Sequence, residues 1–121
     1  MKIIGISSFF HDSAAALLID GEIISASQEE RFSRIKNDKS FPRFAIASCL
    51  DQANLKISDI DFVAFYENPY KSFVRMYKHL FIDLNNLISQ HKNLKEWGYS
   101  RLRFEEYFKY IYPNYEGEFF F

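Results

Sequence analysis

Cysteine is nearly absent: Cys49 stands alone among 121 residues, so neither an intramolecular disulfide nor a multi-cysteine metal centre can form. That usage fits a reducing compartment, and the chain is read as cytoplasmic. No apolar run approaches the roughly 18 residues that a membrane span needs, and the N-terminus has no basic segment followed by a signal-type apolar core. Charge of one sign is lacking too. Fifteen Lys and Arg stand against sixteen Asp and Glu, so no global field draws the chain to nucleic acid or an anionic membrane, and any anion site has to be local. Four glycines and three prolines leave no low-complexity linker, and there are no internal repeats. The length allows a single domain that buries about two thirds of its unfolded surface.

What is abundant is aromatic: 14 Phe and 8 Tyr, concentrated after Phe62. Such an excess implies large apolar surfaces, and a homo-oligomer formed through them is one expectation. A Phe119-Phe120-Phe121 ending is unlike the polar termini of most chains, and it is read as a cut in a longer protein.

Lys2 to Ser7 reads as a buried first strand and Ser13 to Ile19 as a second. Asp20-Gly21 tolerates the positive φ angles of a tight hairpin, so Glu22 to Ser27 should return antiparallel. Pro42 fits the first turn of a helix, in which Ile46, Cys49, Leu50 and Ala53 make an apolar face that covers the sheet. Ile57 to Asp61 is a connector, and Phe62 to Tyr66 is a fourth strand stopped by Asn68-Pro69. Phe73, Tyr77, Leu80, Leu84, Leu87, His91 and Leu94 step at helical spacing, either packed on the domain or facing a partner. Trp97-Gly98 interrupts that pattern, a second helix runs from about Arg101 to Tyr112, and a fifth strand starts at Glu118.

The chemistry is crowded into residues 5–36, and everything after them reads mainly as scaffolding. His11 follows the first strand, where an imidazole is exposed to ligand and able to take a proton from a hydroxyl. The alternative is a turn histidine with a structural hydrogen bond. Asp12, its sequence neighbour, need not orient the same ring. Ser13 reads as close strand packing rather than as a nucleophile. Arg31, Arg34, Lys36 and Lys39 suit a phosphate or carboxylate, or simply a solvated loop, with Glu29 and Glu30 pairing with those cations. His79 reads as solvent-facing and His91 as packed, and with His11 they show no metal-ligand spacing. Neither a Walker-type loop nor a dinucleotide fingerprint occurs.

Four blocks, GISSFFHDSAAALLIDGEI, QEERFSRIKND, FPRFAIASCL and DIDFVAFYENP, fall in order between Gly5 and Pro69. Together they resemble the N-terminal part of the NodU/CmcH-type O-carbamoyltransferases. The resemblance implies an α/β, RNase H-like (actin-like ATPase) half-lobe: a mixed sheet of about five strands, three antiparallel strands first and helices after. It implies use of ATP and carbamoyl phosphate to make carbamoyl-adenylate, and transfer of the carbamoyl group to a hydroxyl of a sugar-like or natural-product acceptor. It places His11 at the family's active-site histidine and implies substrate binding by Asp12, Glu30, Arg31, Arg34 and Lys36. A divalent metal, iron, is implied with ligands outside this chain. The implied partners are the second lobe and a YrdC-like domain, without which the 121 residues should not turn over. A non-catalytic interaction module, docking through aromatic helices, is the alternative. A phosphoryl-transferring relative would carry an acid just before the first-strand glycine, where this chain has Ile4.

Overall fold

Alternation decides the first strands. In β1 (Lys2–Ser7) Ile4 and Ile6 are buried while their neighbours are half-covered, and in β2 (Ala14–Ile19) Ala15 and Leu17 are buried. Period-two burial puts these four on one face of a pleated sheet. A turn with Asp20 at φ 51° and Gly21 at φ 89° returns the chain into β3 (Glu22–Gln28), which pairs antiparallel with β2. The register of that pair shifts between Leu17 and Leu18, leaving Ile24 as a bulge on the sheet's edge strand.

The computed structural model describes residues 1–82 and 101–121. Expectations placed on Leu84, Leu87, His91, Leu94 and Trp97-Gly98 lie outside the described residues, as does the side chain of His79. Beyond β3 come a one-turn helix α1 (Glu30–Ser33), α2 (Arg43–Gln52), a 3-10 turn (Ile57–Asp59), β4 (Phe62–Phe65), α3 (Pro69–Ile82), α4 (Phe104–Ile111) and β5 (Glu118–Phe120). The strands form one mixed sheet in the order β3-β2-β1-β4-β5, with β4 and β5 parallel to β1. This is the α/β architecture the resemblance implies, three antiparallel strands first and helices after.

One sheet face carries the core. Ala45, Ile46, Cys49 and Leu50 of α2 and Phe104 and Phe108 of α4 join Ile4, Ile6, Ala15, Leu17, Val63 and Phe65 in a single buried cluster. Full burial of one such side chain contributes about 1.5–3 kcal/mol. Cys49 is clamped there, its thiol donating to the Ala15 carbonyl at 3.5 Å and its carbonyl accepting from the Ser25 hydroxyl at 3.2 Å. Phe104 and Phe108 share one face of α4 because they are four apart. Phe104 stacks on Phe65 at 4.1 Å between centroids, and Phe108 meets Tyr115 edge-on at 5.2 Å. Much of the aromatic excess is thus internal, although Tyr70 on α3 and Tyr110 on α4 stay exposed.

The opposite face is built differently. Ala26, Ala16, Gly5, Ala64 and Phe120 lie in one register row across all five strands, so its centre is a shallow floor of small side chains.

Candidate functional site

Six residues, Ser8 to Ser13, join β1 to β2 at the end of the sheet where the parallel β1 and β4 also finish. Ligands of open α/β sheets gather at such carboxyl ends. The loop is strained at one point. Phe9 adopts φ 68° and Asp12 φ 48°; Asp tolerates the left-handed region, whereas for a bulky aromatic it costs about 1–3 kcal/mol. Backbone hydrogen bonds offset that cost, from Phe9 N–H to the Lys39 carbonyl at 2.9 Å, from Ser13 N–H to the Asp38 carbonyl at 2.7 Å, and from Glu29 N–H to the Ser13 carbonyl at 2.8 Å.

His11 stands out from this loop with its ring 60% exposed and its Nδ1 2.7 Å from the Asp12 carboxylate. An ionised carboxylate only accepts hydrogen bonds, so the neutral ring carries its proton on Nδ1 and leaves the Nε2 lone pair free as a base. Sequence adjacency gave no reason for Asp12 to orient the ring, yet it does so. The other Asp12 oxygen accepts from the Asn37 side-chain amide at 2.9 Å, and the Asn37 N–H donates to Glu30 at 2.9 Å. His11, Asp12 and Glu30 therefore belong to one network, with Glu30 fixing the Asn37 turn.

Beside the loop lies a cleft of about 550 Å³, lined by Gly5, Ala16, Ala26 and Ala64 on its floor and by Ser7, Gln28, Arg31 and Tyr66 among its polar groups. Its volume is that of a small-molecule site. Ser7 and Ala14, which bracket the His11 loop, both line it. Of the basic run from Arg31 to Lys39 only Arg31 does, from the short helix α1 where the sequence indicated a loop; Arg34, at φ 61°, and Lys36 are exposed and outside the lining.

Other expectations require correction. Glu29 does not pair with the neighbouring cations: it is 2% exposed, and its carboxylate accepts the Phe44 and Ala45 N–H groups at 3.2 and 2.8 Å at the start of α2. Ser13, by contrast, is 1% exposed, in keeping with the close strand packing expected of it. The later chain is more than scaffold. Arg101 and Glu67 pair at 3.0 Å, and Arg101 also donates to the Phe9 carbonyl at 2.6 Å. Tyr66 and Glu67 were detectable as polar residues closing an apolar strand; Arg101 had no such signal.

Hydrogen bonding sets the shift at Asp38 and burial that at Tyr66. Asp38 is held below the ordinary Asp range, chiefly by the Ser33 hydroxyl, then by the Ser40 N–H and hydroxyl, against the opposing effect of burial. Desolvation pushes the Tyr66 phenol up, with Arg101 opposing and Glu67 assisting. Among the described residues no group of three His, Cys, Asp or Glu side chains could hold a metal ion, so the described residues do not fit the implied divalent metal. Nor is any helix among them long and apolar enough to cross a membrane.

A family model for the carbamoyltransferase N-terminus matches residues 2–115. The uncharacterized protein sll1178 of Synechocystis sp. is 50% identical over 74 residues, 61% of this chain and 12% of its own. The nodulation protein NolNO of Sinorhizobium fredii is 47% identical over 60 residues, 50% of this chain and 9% of its own. This chain thus spans only a small part of these two relatives' length. Among solved structures, YeaZ from Pseudomonas aeruginosa aligns at a TM-score of 0.40 and 19% identity, covering 57% of this chain and 31% of that one. On the match that runs through residues 2–115, the chain belongs to the family of carbamoyltransferase N-termini.

Proposed function

We propose that this chain is the N-terminal portion of an O-carbamoyltransferase. It serves transfer of a carbamoyl group from carbamoyl phosphate, by way of carbamoyl-adenylate made with ATP, to a hydroxyl of a sugar-like or natural-product acceptor. Family membership supports the reaction class, and the observation that carries the residue assignment is the His11 Nδ1 contact with Asp12 at 2.7 Å. With Nδ1–H held by Asp12, Nε2 takes the proton of the acceptor hydroxyl as its oxygen attacks the carbamoyl carbon. The bond from that carbon to the adenylate phosphate oxygen breaks, and AMP leaves with the electron pair. Asp12 stabilises the imidazolium that forms, and Arg31 offsets charge on the phosphate side.

The adenylate-forming chemistry and the acceptor pocket are assigned to a second lobe and a YrdC-like domain outside these residues, and the 121-residue chain alone is inactive in this reading. The far greater length of the relatives supports that division. A cytoplasmic location is part of the proposal, in keeping with a single buried, free cysteine.

The test isolates the protein from its native source with an antibody against this segment, weighs it, and assays carbamoyl transfer from labelled carbamoyl phosphate with ATP. A product several times heavier than 14.4 kDa that transfers label is expected, with His11→Asn reducing turnover on the order of 100-fold or more. Unchanged turnover in His11→Asn removes the histidine from the mechanism, and turnover by the isolated 121 residues removes the dependence on further domains.

A second reading, an interaction module docking through aromatic helices, draws on Tyr70, Tyr77 and Tyr110, which are 68%, 50% and 83% exposed on α3 and α4. Concentration-dependent self-association in sedimentation would favour it, and a monomer at all concentrations would oppose a homo-oligomer.

A further inference from the structure

We infer that Arg101 is a positioning residue for His11, holding the β1–β2 loop in the conformation that places the imidazole. Arg101 is 9% exposed in the turn that opens α4, its own carbonyl accepting the Phe104 N–H at 3.2 Å. The guanidinium is a rigid fork of donors. One arm meets Glu67 at 3.0 Å, and the other donates to the Phe9 carbonyl at 2.6 Å. Phe9 is the bulky residue of the loop whose backbone lies in the left-handed region, so the bond acts where the loop departs from an easy conformation. From that point the contacts run to His11 itself. The guanidinium carbon lies 5.5 Å from the centroid of the Phe10 ring, and that ring lies 4.4 Å from the imidazole.

Glu67 anchors the fork from the other side. It follows β4, whose end is tied to β1 by the Tyr66 N–H to Ile6 carbonyl bond of 3.0 Å. The same Glu67 oxygen that accepts from Arg101 also accepts the hydroxyl of Tyr66 at 3.3 Å, and Tyr66 lines the cleft. Cleft wall and His11 loop therefore share one half-buried acceptor, Glu67, joined by a residue 92 positions from Phe9. Lysine could not repeat this arrangement, because a single ammonium lacks the planar fork that reaches two acceptors at fixed separation.

What Arg101 means for catalysis rests on the proposed role of His11; where it places the ring does not. The test is therefore spectroscopic, on the 121-residue chain with [15N]histidine, the His11 resonances assigned by their loss in His11→Gln. Arg101→Met is expected to keep its circular dichroism and a cooperative urea transition. It should lose the ring-current displacement of the His11 ring protons by Phe10 and speed Phe9 amide exchange at least tenfold. Arg101→Lys should recover part of both, and Glu67→Gln should move both in the same direction by less. A folded Arg101→Met with wild-type His11 shifts and wild-type Phe9 exchange overturns the inference. Should Arg101→Met fail to fold, Glu67→Gln decides: displaced His11 resonances support the inference and unchanged ones overturn it. Loss of the His11→Asn effect in the transfer assay would instead overturn the proposed reaction and leave these shifts as they are.

Discussion

The carboxylate of Glu29 accepts the backbone N–H of Ala45 at 2.8 Å, across sixteen positions of sequence. Helix α2 begins after Pro42, which offers no side-chain cap, so an acid from the end of β3 satisfies N–H groups that are left over in the first turn. A buried, charge-assisted contact of this kind is worth about 1.5–3 kcal/mol. Glu29→Ala should lower unfolding stability by that amount, and Glu29→Gln by less, because one acceptor oxygen is kept. Urea denaturation of the two variants checks the order; equal midpoints for wild type and Glu29→Ala would remove Glu29 from the support of α2.

Asp38 gives stability an acid limb. Its folded pKa is lowered, first by the Ser33 hydroxyl, so its contribution is fully present above the ordinary Asp value of about 4 and is lost as pH falls through the lower folded value. Urea midpoints measured from pH 6 downward should therefore fall more steeply in wild type than in Asp38→Asn. Parallel curves would show that the Asp38 carboxylate adds nothing.

The alkaline limb has the opposite sign. Burial raises the phenols of Tyr112 and Tyr115 to about 12, so the folded state holds those protons more tightly than the unfolded chain. Their contribution is present below the ordinary tyrosine value of about 10 and is lost as pH rises from there toward 12. Absorbance near 295 nm should show a late phase that disappears in Tyr112→Phe/Tyr115→Phe. A late phase of undiminished size in that double variant would assign it to other tyrosines.

Arg31 and Arg34 should part company on ligand binding. Only Arg31 lines the cleft, so Arg31→Ala should weaken binding of an adenylate or carbamoyl phosphate about tenfold or more, the loss of one charge-assisted contact. Arg34→Ala should change it less than twofold. Calorimetric titration of the transfer-competent protein measures both, and equal losses would mean that the cleft does not hold the anion.

Much of the frame was legible because its signals are local. β1, the Asp20-Gly21 hairpin and the apolar face of α2 follow from alternation, turn chemistry and helical spacing, each set within a few residues. Cys49 fell on that face and is fully buried. The one-turn α1 was missed because four residues carry no periodicity. Within the site, sequence singled out His11 and the basic run, but it could not say that Asp12 turns toward the ring or that Arg31 alone reaches the cleft. Those facts depend on the φ angles of Asp12 and Arg34, both positive, and on how α1 leaves the sheet.

The sequence by itself determined the strand pattern, the covering helix, the family blocks from Gly5 to Pro69 and the position of His11. Local periodicity and residue chemistry are written in neighbouring letters. Only the tertiary structure decided that Glu29 would cap a helix and that Arg101 would meet Phe9 and Glu67. It also decided that a row of small residues on four strands would floor a cleft. Hydrogen bonds and burial join groups by distance in space, and the parallel return of β4 beside β1 brings together residues that the sequence holds far apart.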